Sequence, residues 1–396
     1  MHATKVLQKI LSSVITRLDA RNVRNLFFAV EALLAGRRLT LTELARHFPG
    51  AERIAAPLKR FDRLLGNHAA QALRAAFYQA ALLWLLRMPR PILIVDWSEV
   101  KSDGRWHLLR AAVAAKGRTL TVYEEVHPTS KLASPRMEAA FLRRLQTLLP
   151  EGVRPILVTD AGFRVPWFRA VEALGWHWVG RVRAPSRVRL IDSVRHGQDW
   201  IASKTLYERA TTRAVTLGDV ALTESKRFLC RLTLVRRHSR GRHHLTRYGK
   251  RACGSYSRKN AARASEPWLL ATSVSLAKLS AREIVAIYAK RMQIELSFRD
   301  LKSHRYGSAF EDTLTRDPRR LEMLLLIHAL ATLAAWLEGI AIVTALLIAH
   351  PAKATKRLRH SVVWLGWESL RRHGGHLSLP PSEACERLHD LLAQAA

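Results

Sequence analysis

The chain has 396 residues, 48% of them apolar, and carries 65 Lys and Arg against 32 Asp and Glu, a formal net charge of +33. This composition excludes a wholly disordered chain and allows about two to four domains around large cores. The charge points to a polyanionic partner, nucleic acid or an anionic membrane, without bearing on the fold. Cys230, Cys253 and Cys385 are isolated, with no Cys-x-x-Cys, which excludes a disulfide framework or a cysteine zinc site and fits a reducing compartment.

Met1 to Asn22 is amphipathic with scattered charges, unlike a signal peptide. Residues 1–88 read as a compact basic helical domain, and residues 1–90 hold 15 Lys and Arg against 5 Asp and Glu. Thr40-x-x-Glu43 forms a capping-box pattern before Leu44 and Ala45, Pro49-Gly50 breaks that helix, and Ala55–Leu65 starts another bearing Lys59, Arg60 and Arg63. Helix, tight turn and basic helix suggest a helix-turn-helix, with an ordinary helical hairpin as the alternative.

Strand patterns begin at residue 90. Residues 90–96 read Arg-Pro-Ile-Leu-Ile-Val-Asp and residues 154–160 read Arg-Pro-Ile-Leu-Val-Thr-Asp, two near-identical buried-strand runs that end in an acid. Between them, Trp106–Ala114 and Thr119–His127 are predicted strands and Met137–Leu149 a helix. Pro166–Leu174 is then predicted helical and Trp176–Arg183 a strand. The order β-β-β-α-β-α-β matches a ribonuclease-H-like α/β core, whose first and fourth strands lie side by side and would bring Asp96 and Asp160 to neighbouring strand ends.

Residues 184–266 interrupt that core with short alternating runs and read as a strand-rich insertion, with 13 basic residues and no acid between Lys226 and Arg263, a candidate nucleic-acid surface. The core resumes with a strand over Pro267–Thr272 and a helix from Ala281 to Lys302, so residues 89–183 and 267–320 form its two parts. Residues 321–396 are predicted helical, with breaks at Pro351, Gly374-Gly375 and Pro380-Pro381. In the apolar segment 323–349, the run Met323–Leu337 ends at Glu338 and Gly339. A spanning helix needs about 20 apolar residues, so core or dimer helices are expected rather than a membrane span. There is no Gly-x-x-x-x-Gly-Lys loop, so no nucleotide cofactor is expected.

At about 100° per residue, a single helix would carry Tyr288, Arg291, Met292, Glu295, Arg299 and Lys302 on one sector, beside an apolar stripe of Ile287, Ile294, Phe298 and Leu301. One carboxylate among cations suits a metal ion held beside a phosphodiester. Asp96, Asp160 and Glu295 are the candidate catalytic acids. Such hard oxygen donors suit Mg²⁺, and two ions about 3.5–4 Å apart can stabilise the attacking and leaving oxygens of an in-line phosphoryl displacement. Either Asp could instead be a turn residue, Glu295 a surface residue and Trp268 a buried core residue.

The spacing Tyr288-x2-Arg291-x3-Glu295-x6-Lys302 resembles the Y-R-E-K signature of DDE insertion-sequence transposases of family four. So do Val95-Asp96-Trp97-Ser98, Asp160-Ala161-Gly162-Phe163, Arg181-Val182-Arg183 and Glu266-Pro267-Trp268, and the likeness covers most of residues 20–340. It implies a metal triad of Asp96, Asp160 and Glu295 with two Mg²⁺ ions, Mn²⁺ substituting. It also implies phosphate contacts from Tyr288, Arg291 and Lys302 beside a flipped base, Trp268 stacked on that base, Met292 as a wedge, and Arg299 on DNA. The implied reaction is cut-and-paste transposition through a hairpin intermediate. Its partners would be the inverted repeats at transposon ends, target DNA and a second copy of the chain, in a bacterial cytoplasm at the nucleoid. After Tyr306-Gly307, Ser308–Asp312 departs from the family pattern and introduces two acids. Alternatives are another ribonuclease-H-like nuclease such as a junction resolvase, a non-enzymatic DNA-binding regulator, and a recombinase with Tyr288 as nucleophile.

Overall fold

The computed structural model describes residues 1–50, 53–191, 199–238, 246, 248, 250–349 and 360–395. Part of the basic run 226–263 and the break expected at Pro351 lie outside these residues. The described chain forms two compact units, Met1–Pro155 with Lys290–Ala396, and Ile156–Ala289.

The first unit begins with helices α1 (Ala3–Ile10), α2 (Ser12–Ile15), α3 (Ala20–Gly36), α4 (Leu41–Arg46), α5 (Ala55–Leu65) and α6 (His68–Leu85). Thr40 caps α4 by accepting from the Glu43 N–H at 3.3 Å, satisfying one of the donors a helix start leaves open. Phe48, in the turn after α4, packs against Phe28 and Phe61, which docks the α4–α5 pair on α3.

Strands β1 (Ile92–Glu99), β2 (Trp106–Ala114) and β3 (Thr119–Pro128) follow as an antiparallel meander, and α7 (Pro135–Leu148) comes next. The apolar run Ile92–Val95 is buried throughout, as a strand covered on both faces requires. Asp96 pairs in register with Arg110, and Arg110 with Glu124, so these three side chains stand on one face. Trp97 points to the other, where its indole N–H donates to Glu138 of α7 at 3.1 Å.

In the second unit, β4 (Ile156–Thr159), α8 (Val165–Ala173) and β5 (His177–Val182) make a parallel crossover. Then come β6 (Arg187–Leu190), β7 (Ile201–Ala202), β8 (Val215–Leu222), β9 (Phe228–Val235), α9 (Ser255–Ser265), β10 (Trp268–Thr272) and α10 (Ala281–Ala289). Strand β10 returns to lie antiparallel between β5 and β9, giving the order β4-β5-β10-β9-β8-β6-β7. The architecture is mixed α/β, and the predicted order from β1 to β5 is the observed one.

The chain re-enters the first unit with α11 (Met292–Lys302), α12 (Pro318–Ala349), α13 (Val362–Arg372) and α14 (Pro381–Ala395). Helix α12 runs through the interruption at Glu338-Gly339. Its segment Pro318–Leu346 is long and apolar enough to cross a membrane, yet 83% of its most apolar window is buried within the fold. Glu338 is fully buried and accepts from the Ser369 hydroxyl at 2.6 Å and from the Ser378 N–H and hydroxyl at 2.8 and 2.7 Å. Where α12 crosses α13 the backbones touch: a Cβ on Gly366 would stand 1.8 Å from the Ala335 carbonyl oxygen, and one on Gly339 2.0 Å from that of Val362. Only glycine permits this approach.

Two outcomes follow from α12. Gly366→Ala should lower the unfolding free energy by about 1–3 kcal/mol in urea titration, the usual range for overpacking. His328, buried on α12, has its pKa pushed by burial from 6.5 to about 3. The folded state therefore resists a proton that the unfolded chain takes up below pH 6.5, so this contribution is complete above pH 6.5 and is lost as pH falls toward 3. Urea titrations between pH 7 and 4 should show His328→Gln with a pH slope shallower by about 1.4 kcal/mol per unit.

Candidate active site

The face of the meander bearing Asp96 is covered by α11. Phe298 lies under the Arg110 guanidinium, 5.1 Å from ring centre to Cζ, and Ser297 accepts from the Thr119 N–H at 3.0 Å. These contacts fix the roll of α11 and turn Glu295 toward β1. Arg291, just before the helix, then spans two carboxylates: Nη1 is 3.3 Å from Asp96 Oδ2 and Nη2 2.5 Å from Glu295 Oε1. At the other end of α11, Lys302 Nζ donates to Ser98 Oγ at 3.0 Å and to the Glu99 carbonyl at 3.1 Å. Burial pushes this ammonium below its ordinary range against the opposing pull of Glu311 and Glu99.

Beneath these residues lies a polar core. Arg110 Nε donates to Glu124 Oε2 at 2.7 Å, and both side chains are almost completely buried. Glu124 also accepts from the Tyr78 hydroxyl at 2.8 Å, and its carbonyl from Arg74 Nη1 at 2.6 Å. A second cluster gathers Tyr123, His127 and Arg144 around Glu125. Burial would raise the Glu125 pKa, but hydrogen bonds from His127 and Arg144 outweigh it and hold the carboxyl at about 2. Sequence reasoning missed both clusters. The adjacent acids Glu124-Glu125 inside an otherwise apolar strand were the available signal.

The second unit holds the remaining candidates. Asp160 follows the last residue of β4, and its Oδ1 accepts from the Gly162 N–H at 2.7 Å, an Asx turn. Trp268 opens β10 and meets Tyr288 of α10 edge-to-face, with ring centroids 4.9 Å apart. The Arg237 guanidinium lies over the same indole at 5.1 Å. Arg181 on β5 donates to the carbonyls of Glu266 and Pro267 at 3.2 and 3.3 Å, bracing the entry to Trp268. Burial, then the neighbouring Arg183, lowers its pKa.

Two sequence expectations are corrected. Asp96 lies inside β1, which runs on to Glu99, rather than at a strand end. The single helix expected over 281–302 is two helices, interrupted at Lys290-Arg291. There the Gln293 and Ile294 N–H groups bond the carbonyls three residues back, at 2.9 and 3.2 Å. Tyr288 therefore belongs to α10, while Met292, Glu295, Arg299 and Lys302 lie on α11 with Arg291 just before it. Tyr288 is only 3% exposed, which disfavours it as an attacking nucleophile. Met292 is half-buried with its sulfur 3.5 Å from Arg291 Nη2, and Arg299 is exposed, its Nε 4.0 Å from Asp300 Oδ1.

The family model described as a transposase DDE domain matches residues 87–334, more than half of the chain. The chain belongs to the DDE transposase family. It is therefore a polynucleotidyl transferase and DNA endonuclease whose substrates are DNA. A comparison with curated proteins gave no match.

Members of this family generally act with divalent metal ions. In this transposase the donors fit such an ion. Asp96 and Glu295 offer oxygens only, the ligand type hard cations take, and they already converge on one positive charge, the Arg291 guanidinium. Asp160 supplies a further carboxylate in the second unit. Among the described residues, no group of three or more His, Cys, Asp or Glu forms a ready metal cage.

The transposase should tolerate loss of either partner in the buried pair poorly. Arg110→Met strands the Glu124 carboxylate without its cation and should destabilise the fold by about 3–5 kcal/mol in urea titration. The double variant Arg110→Met with Glu124→Leu should recover most of that loss.

Proposed function

We propose that this transposase moves an insertion sequence by cut-and-paste, in the manner of family four, with Asp96, Asp160 and Glu295 holding Mg²⁺. The observation that carries the reading is the bridge from Asp96 through Arg291 to Glu295. It joins an acid on the first strand of the matched segment to one on a helix late in that segment, and it puts a phosphate-binding cation between them. Within this reading, Tyr288, Arg291, Met292 and Lys302 match the spacing of the Y-R-E-K set and its wedge.

When bound, the divalent ions would stabilise charge on the attacking and leaving oxygens of phosphoryl transfer. The protein residues divide the remaining work. Arg291 exchanges carboxylates for a DNA phosphate, to which its planar fork is suited. Lys302, held on β1 by Ser98 and Glu99, adds a second cation at the far end of α11. Trp268, braced by Arg181 and Tyr288, offers an indole face to an extruded base once Arg237 moves aside. Extrusion costs a few kcal/mol, and stacking returns about 1–3 kcal/mol. The strand nicked at the element end presents a 3′-hydroxyl, which attacks the opposite strand to give a hairpin end. Hydrolysis reopens it, and the 3′-hydroxyl joins target DNA, with two protomers pairing two ends. The arrangement 1–88 for DNA binding, 184–266 as a basic insertion and 321–396 for pairing of protomers belongs to the same proposal.

The test is incubation of purified protein with Mg²⁺ and DNA carrying the element end, resolved on a denaturing gel. Hairpin-ended product should form and should vanish with EDTA. Asp96→Asn, Asp160→Asn and Glu295→Gln should each slow the first nick by about 10³-fold or more, several kcal/mol of transition-state stabilisation. Trp268→Ala should retain the nick and lose hairpin product by roughly 5- to 100-fold. Nicking that survives Asp96→Asn would remove the triad assignment.

A further inference from the structure

The first unit contains a cleft of about 570 Å³ that none of the steps above uses. Its size is that of a ligand pocket, about 300–1,000 Å³. It flanks α11 along Ser297, Arg299 and Asp300, residues interleaved with those that meet β1. Its entrance is exposed and cationic, with Arg299 and Arg305 beside Tyr306, while Arg37 and Arg38 come from the end of α3 and its following turn. Arg118 is held there by an ion pair with Asp300.

The inner wall has a different character. His328 and Thr332 stand one turn apart on α12, and Arg110 reaches the same cavity from β2. His328 is 6% exposed, and its Nδ1 has no hydrogen-bond partner. The Thr332 hydroxyl is also buried without one. Arg110 closes the same wall while ion-paired to Glu124, with Nη2 2.6 Å from Oε2. Buried polar atoms are ordinarily paired, and two one turn apart on one cavity wall call for a partner with polar edges. Trp364 and Trp367 of α13 add aromatic walls. His360 lies stacked on Trp364, with centroids 3.9 Å apart and planes at 20°, so that indole accepts a flat π partner.

The geometry points to a second nucleotide site: the cleft takes one nucleoside phosphate, with its phosphate among the entrance arginines, its base against Trp364, and the base edge toward His328 and Thr332. A neutral imidazole and a hydroxyl can each donate or accept, so they suit a base edge. A cationic rim around aromatic walls is the arrangement single-stranded nucleic acid favours. The site draws on DNA being the substrate and not on the roles proposed for Asp96, Asp160 and Glu295. The occupant is a nucleotide of a DNA strand or a free nucleotide.

Binding in EDTA separates this site from cleavage. Full-length protein is titrated into a short fluorescein-labelled single strand, into the same strand made abasic, and against dAMP as competitor, with anisotropy as the readout. Trp364→Ala should weaken the intact strand roughly 5- to 100-fold and the abasic strand little. Thr332→Val, which keeps the side-chain shape, should weaken the intact strand about 3- to 10-fold with an unchanged melting temperature. Displacement by dAMP that Trp364→Ala weakens would identify a free nucleotide as occupant. Binding of the strand without such displacement would identify DNA. Intact-strand affinity unchanged in both variants, or equal losses on intact and abasic strands, would overturn the proposal. Neither result depends on whether the protein nicks DNA.

Discussion

The buried pair of Arg110 and Glu124 positions much of the first unit. It sits in the middle of the meander and reaches outward in three directions. Glu124 takes the Tyr78 hydroxyl from α6, Arg74 of the same helix reaches its carbonyl, and Arg110 lies against Phe298 of α11. Isolated buried ion pairs contribute little net stability because desolvation opposes attraction. Their geometry is nonetheless demanding, since each charge must meet its partner. The pair therefore acts as a locating pin: α11 can adopt only a roll that keeps Phe298 beneath Arg110, and that roll presents Glu295 to the strand bearing Asp96.

Arg291 gives the upper layer of the site its chemical logic. Two carboxylates brought close together repel unless a cation lies between them. Here the guanidinium lies between them and holds both side chains in place. In the proposed reaction the same cation would pass from the carboxylates to a phosphodiester, which would link metal loading to DNA engagement. In the same proposal Trp268, whose ring carries the Arg237 guanidinium, would exchange that cation for a base.

Much of the fold was legible because its strands are bounded by turn residues. Trp106–Ala114 was read to the residue, flanked by Ser-Asp-Gly on one side and Lys-Gly on the other, and β1 through β5 came in the predicted order. The break at Lys290-Arg291 left no local trace. Ala, Lys, Arg and Met all favour helix, and neither Gly nor Pro marks the position. The interruption falls where the chain passes from one compact unit to the other, a boundary that helix propensity does not register. Asp96 was misplaced to a strand end because the apolar run stops there, while the pairing of β1 with β2 continues through polar residues to Glu99. The candidate acids were proposed as residue types at suggestive places. The Arg110–Glu124 pin was not, since strand periodicity alone assigns charged side chains to solvent.

Glu338 has a consequence beyond its hydrogen bonds. Helix α12 is greasy enough that hydrocarbon would be a competitive solvent for much of its length. A carboxylate in its apolar stretch disfavours that choice by about 2.5–3.5 kcal/mol near a bilayer centre. Within the fold the same group finds two serine hydroxyls and a backbone N–H waiting on α13 and just beyond it. One acid thus works as an address written into the helix, making lipid the poorer medium and the C-terminal helices the better one.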